Sequence, residues 1–228
     1  MKTQSNFFWG NFLTKIKSLF VKKMKPTPNI SPKAFDLIIY YEVGGGKGYY
    51  NKALKKPTYP GGASGVTIGI GYDLGYNSLS DFTKDWKGKI PDSDFDRLKK
   101  VLGFKGNVAK SYLHLVSGVS IPWEAALDVF ENNTIPKFMD QTLKAFPGAD
   151  ELHPDAFGAL VSLVFNRGAS VSGERRREMK NIRNLIPSKD YKAIANEIRK
   201  MKRLWVGKGL NGLLKRRDEE AELIENCS

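Results

Sequence analysis

Apolar residues recur at helical spacing through most of this chain, and the breaks in that rhythm mark its organisation. Ser31-Pro32 open the first clear element, a side-chain cap followed by proline at the first helical position. Phe35, Ile38, Ile39 and Glu42 then stand at i, i+3, i+4 and i+7, so they share one stripe. Gly44-Gly45-Gly46 ends the helix. Residues 44–65 are rich in Gly, Tyr, Lys and Pro and read as loop or irregular hairpin, and residues 66–72 alternate like a strand. From Asp92 onward the spacing predicts helices over 92–102, 107–117, 121–145, 154–167, 178–185, 190–204 and 211–225, with Pro136 breaking or kinking the third. The expected class is α+β: one helix, a small β lobe, then a helical lobe.

Residues 1–25 follow a different pattern. Phe8, Phe12, Leu13, Ile16, Leu19, Phe20 and Met24 recur at helical spacing among lysines, which predicts a basic amphipathic helix. Lys25-Pro26-Thr27-Pro28 then reads as a short stiff linker. The expected division is therefore 1–28 as N-terminal segment and linker, and 29–228 as one compact domain. Residues 7–24 could pack on the domain, or contact a membrane surface or a delivery partner. Lysines interrupt their apolar part and no A-x-A site follows, unlike a secretory signal. No run of about 18 apolar residues is present to cross a membrane.

Composition narrows the chemistry. The chain has 228 residues and a net charge of +13, a field that draws it toward polyanions such as nucleic acid, anionic lipid or the bacterial envelope. Its one cysteine, Cys227, allows no internal disulfide. With His114 and His153 as the sole histidines, a Cys/His zinc site is not expected, nor is any other metal or cofactor.

Glu42 is the first candidate for chemistry. It extends an apolar stripe and sits at the negative end of the helix dipole. Both effects favour a retained proton, which a general acid needs. The alternative is a solvated glutamate in a last helical turn. Thr67-Ile68-Gly69-Ile70-Gly71-Tyr72-Asp73 is the second candidate. Strand alternation puts Thr67, Gly69, Gly71 and Asp73 on one open polar face, and Ile68, Ile70 and Tyr72 toward a core. Thr67 and Asp73 would lie about 20 Å apart if extended, so acting on one bond requires a bend, which the glycines allow. No Asp or Glu lies between Glu42 and Asp73, making Asp73 the nearest second carboxylate in sequence. Tyr49, Tyr50 and Tyr59 precede the strand, where sugar stacking competes with loop packing. Asn166 could reach a cleft or cap backbone. Arg175-Arg176-Arg177 reads as a solvated charge run, and Arg216-Arg217 with Asp218, Glu219, Glu220 and Glu222 as a salt-bridged helix face.

Three stretches carry a family resemblance: the helix ending in Glu42 followed by TIGIGYD (67–73); AFGALVSLVFNRG (156–168); and GL (209–210) followed by LLKRRDEEAEL (213–223). In that order they resemble the glycoside hydrolase family that contains T-even phage lysozyme. The resemblance implies a lysozyme-like fold, mostly α-helical with a small β-hairpin lobe flanking the cleft. It implies hydrolysis of the β-1,4 bond between N-acetylmuramic acid and N-acetylglucosamine in peptidoglycan. Glu42 is then the acid, Asp73 the base, and Thr67 the residue that orders water. Gly69, Gly71, Tyr72, Tyr49 and Asn166 are the candidates for binding substrate. Phage lysozymes carry the Asp shortly before the Thr, where this chain has Gly61, Gly62 and Ser64. In that respect it is closer to pesticin-type bacteriocin muramidases, which suggests an antibacterial toxin or effector with an immunity protein that plugs the cleft, or else a phage-type endolysin. A monomer acting in the periplasm or wall is expected, brought there by a secretion machine or phage lysis system. Two readings stay open: a lytic transglycosylase and, in a different class, a basic nucleic-acid-binding protein, although no specific nucleic-acid motif is present.

Overall fold

In a computed structural model the chain is described over residues 29–44 and 46–227. The expected amphipathic helix over 7–24 and its linker lie outside the described residues. Helix α1 (Pro32–Val43) begins as its sequence predicts. The Ser31 hydroxyl accepts a hydrogen bond from the Ala34 N–H at 3.1 Å, and Gly44 ends the helix in the left-handed conformation at φ 63°. Expected loop then turns out to be helical: a single turn, Gly46–Tyr49, runs into a π-type turn, Tyr50–Leu54. The anchor is Tyr50, fully buried with its ring 5.2 Å from Trp123 and its hydroxyl donating to the Ile121 carbonyl at 3.1 Å. That long-range burial overrides the poor local propensity of a Gly-rich stretch.

The strand expected over 66–72 is a hairpin. Strand β1 (Thr67–Ile68) pairs antiparallel with β2 (Tyr72–Asp73), in the register Thr67↔Asp73 and Ile68↔Tyr72. Gly69 (φ 57°) and Gly71 (φ 73°) supply the left-handed backbone of the reversal. The chain thus doubles back where continuous alternation was expected. The inward residues are as predicted: Ile68, Ile70 and Tyr72 are all buried.

Helices α2 (Leu79–Trp86), α3 (Asp92–Lys99), α4 (Gly106–Tyr112) and α5 (Trp123–Val129) follow. Helix α2 was not among the expected elements; its buried face is Phe82, Asp85 and Trp86. The long helix expected over 121–145 is interrupted: α5 passes through a π-type turn, Phe130–Thr134, into α6 (Ile135–Ala145), with Pro136 in the first turn of α6. Proline lacks an N–H and crowds the preceding turn, so the ladder widens ahead of it. Helix α7 (Pro154–Arg167) runs through the centre, buried without interruption from Asp155 to Val164. It packs on α1, on α6 and on α10 (Asn211–Glu225), with α8 (Arg177–Leu185) and α9 (Tyr191–Lys200) completing the helical lobe.

Candidate active site

Three helices deliver the side chains that meet at Glu42. The carboxylate stands in the last turn of α1 with its side chain 25% exposed. Arg216 of α10, 3% exposed, donates Nη1 to Glu42 Oε1 at 2.8 Å. The guanidinium is fixed from behind. Its Nε and Nη2 donate to the Ser162 hydroxyl of α7 at 3.3 and 3.0 Å, Nη2 donates to the Ser162 carbonyl at 3.1 Å, and Nε donates to Glu220 Oε1 at 3.2 Å. Glu220 is fully buried and takes two further bonds on the same oxygen, from the Ser162 hydroxyl at 2.6 Å and from Arg217 Nη2 at 2.8 Å. Arg216 also lies 5.1 Å from the Tyr41 ring centroid. The Tyr41 hydroxyl donates to Glu219 Oε2 at 2.6 Å, and burial followed by that carboxylate pushes its pKa far above the usual phenol range.

The surroundings expected of Glu42 therefore need correction. The sequence predicted an apolar surface beside it; the structure puts a buried guanidinium there. Part of the expected salt-bridged face of α10 is turned inward, with Arg217 and Glu220 fully buried, while Asp218 and Glu219 are half-buried and Glu222 is exposed. Leu213, Arg217, Ala221 and Ile224 share one helical stripe, and that spacing was the signal that an arginine here belongs inside.

Glu42 and Arg216 open onto a cavity of about 370 Å³ that is also lined by Tyr41, Asn166, Gly209 and Leu213. Asn166 and Leu213 are shared with an adjoining cavity of about 250 Å³, lined by Arg167, Arg175, Arg176 and Trp205. No carboxylate lines that second cavity among the described residues. Arg167 stacks 4.8 Å from the Trp205 ring, and its pKa falls to about 10 through burial and the nearby charges of Arg176 and Arg217. It stays cationic at neutral pH. The charge run was read as solvated; Arg175 and Arg177 are exposed, while Arg176 is half-buried and donates to the Arg167 carbonyl.

The hairpin places the remaining candidates. Thr67 is half-buried, and its backbone pairs on one side with Asp73 and on the other with Thr58, through Thr58 N–H to the Thr67 carbonyl at 2.9 Å and the reverse bond at 2.8 Å. Asp73 Oδ1 accepts from the Gly75 N–H at 2.8 Å and the Gly65 N–H at 3.0 Å, and Oδ2 accepts from Gly65 at 3.1 Å. Gly65 is required there: a Cβ would overlap the Gly75 backbone and the Asp73 carboxylate. Thr67 and Asp73 are thus brought directly opposite each other. No hydrogen bond among the described residues joins that pair to Glu42. Gly69 is buried against Trp86 and Ala126, and Tyr72 is buried with its hydroxyl donating to Asp85 Oδ2 at 3.0 Å. Those two positions face the core. Gly71 and Tyr49 are exposed, Tyr49 beside the Gly44 cap of α1.

The family model described as Phage lysozyme matches residues 105–220, the stretch that holds Ser162, Asn166 and Arg216. A second, described as Domain of unknown function (DUF8812), matches residues 38–137, the stretch that holds Glu42, Thr67 and Asp73. No curated protein matches the chain.

Proposed function

The chain belongs to the phage lysozyme family, whose members hydrolyse peptidoglycan, and we propose that this protein is a muramidase using Glu42 as its general acid. The observation that carries this reading is the Glu42–Arg216 pair at the mouth of a cavity. One carboxylate is held in place from three helices, and a quarter of its surface remains open to a ligand. Glu42 would give its proton to the bridging oxygen as the bond from the N-acetylmuramic acid anomeric carbon breaks. Water would add at that carbon and release a proton to a base. Arg216 orients Glu42 and balances the negative charge left behind once the proton has gone.

Thr67 and Asp73 are our candidates for the water-activating pair. Their cross-strand register supports joint action. A carboxylate offers about four acceptor positions, and Asp73 has two N–H donors in place, with Gly65 shared between both oxygens, leaving room for a water. Asp73→Asn retains an oxygen for the Gly65 and Gly75 amides but removes the base. Turnover should fall at least about 100-fold. Turnover near wild type would make Asp73 a loop brace alone. The cationic cavity next to Asn166 suits the acidic portions of the wall polymer that flank the scissile bond.

Mass spectrometry of purified peptidoglycan after digestion tests the reaction class. Reducing N-acetylmuramic acid ends support the proposal, and 1,6-anhydro ends would assign a lytic transglycosylase instead. The order Thr67 before Asp73 favours a bacteriocin-like toxin or effector over an endolysin. If so, the wild-type chain directed to the periplasm should lyse its host unless a cleft-blocking immunity protein is supplied.

A further inference from the structure

We propose that His153, Asp155 and Cys227 form a binding site for one zinc-class divalent cation, separate from the glycan site. One ligand atom from each, a ring nitrogen, a carboxylate oxygen and the thiol sulfur, lies within 4.8 Å of the other two. The three are far apart in sequence. His153 and Asp155 sit at the start of α7, and Cys227 follows the end of α10. Asp155 lies roughly 16 Å along α7 from Asn166, at 1.5 Å per residue.

The donor set fits the ion. Zinc takes thiolate, imidazole and carboxylate ligands at about 2.0–2.3 Å, which puts ligand atoms about 3.3–3.8 Å apart in a tetrahedron. His153 Nδ1 and Asp155 Oδ2 are already 3.9 Å apart. Closing the set needs contractions of at most about 1.5 Å, within reach of side-chain rotations. Water would complete the fourth position. His153 is 49% exposed at the side chain, which leaves the ion a path in.

A second observation points to a cation. The Asp155 side chain is only 10% exposed, yet among the described residues the one basic group within 4 Å of its carboxylate is the His153 ring. A buried carboxylate without a strong partner is costly. Helix α7 offsets part of that cost through the positive end of its dipole. The half-buried Cys227 sulfur lies within 4.8 Å of the same carboxylate. A divalent ion would neutralise both acidic groups at once. On binding, the thiol would release to solvent the proton it now donates to the Leu223 carbonyl at 3.3 Å. The ion would fasten the start of α7 to the end of α10, the two helices that hold Ser162 and Arg216 behind Glu42. Its contribution is to stability, and the inference does not depend on the reaction catalysed.

The test uses the full chain, purified reduced and metal-free. Cobalt(II) serves as the spectroscopic probe, and zinc(II) is measured in competition with a chromogenic chelator. One equivalent should bind, with the near-ultraviolet thiolate-to-cobalt charge-transfer band. Zinc at about 100 times its dissociation constant should raise the thermal midpoint by roughly 5–10 °C. Cys227→Ser should lose the band and the zinc-dependent rise while keeping the metal-free midpoint. His153→Asn, which retains an N-cap acceptor, should weaken binding at least tenfold. Absence of a thiolate band in wild type, or a midpoint rise equally large in Cys227→Ser, overturns the proposal.

Discussion

Arg216→Met and Glu220→Gln separate the two duties of the buried ion cluster. Arg216, Arg217 and Glu220 are almost entirely removed from water, and Glu42 is partly so. The four charges sum to zero. Replacing Arg216 with Met keeps the volume but leaves Glu42 without its 2.8 Å donor and Glu220 with Arg217 as its one cationic partner beside the Ser162 hydroxyl. Glu42 can relax toward solvent, so the loss belongs at the lower end of the range for breaking a buried pair, about 3 kcal/mol. Glu220→Gln leaves two buried guanidinium groups with no buried anion between them. Arg216 keeps Glu42, but Arg217, 0% exposed, has no anion left and no route to water, so the cost belongs at the upper end, about 5 kcal/mol. Urea unfolding followed by circular dichroism reads both. With a slope of about 1–3 kcal/mol per molar, the Arg216→Met midpoint should drop by at least about 1 M, and that of Glu220→Gln should drop further. A loss under about 1 kcal/mol for Arg216→Met, or a milder effect from Glu220→Gln, would refute the reasoning that charge balance holds these helices in register.

Alkaline stability should be set by Tyr41, Tyr50 and Tyr72. Burial raises all three phenols above their ordinary value of 10.0, for Tyr41 with help from Glu219 and for Tyr72 with help from Asp85. The folded value exceeds the unfolded one, so their contribution is complete below about pH 10 and is lost as pH rises beyond it. Each phenol removes about 1.4 kcal/mol per pH unit there. Phenolate absorbance from these three rings should appear together with unfolding, and Tyr50→Phe should cut the slope of stability against pH by about a third; full ionisation in the folded protein would contradict this. Gly158→Ala would drive a methyl group into Ala34, and its Cβ would also lie 3.1 Å from the Ile30 Cβ, where α7 crosses α1. The expected loss is about 1–3 kcal/mol, read as a lower thermal midpoint, with Ala34→Gly recovering most of it. No recovery would mean that the two helices are not in close contact there.

Where local chemistry decides the backbone, the sequence was readable. Ser31-Pro32 and Gly44 bound α1 as their capping chemistry requires, and Glu42 falls in its last turn. Ile68, Ile70 and Tyr72 were correctly assigned to the core, although the backbone between them reverses, because burial depends on the residue more than on strand continuity. Long-range events were hidden. Tyr50 turns a Gly-rich loop helical only because Trp123 and Ile121 cover it. Arg216 meets Glu42 across 174 positions, and no local pattern names its partner. Gly69 looked open on a flat strand. Once the hairpin folds back, Trp86 and Ala126 cover it.

The most direct measurement is the rate at which soluble muropeptides leave purified peptidoglycan, compared between wild type and Glu42→Gln at equal thermal midpoints. Gln keeps the shape and can still accept from Arg216, but it has no proton of carboxylic acidity to give. Loss of at least about 100-fold in turnover, with binding to the wall retained, is the outcome expected of a general acid. Turnover in Glu42→Gln within a few-fold of wild type would remove Glu42 from the chemistry, and the proposed muramidase mechanism with it.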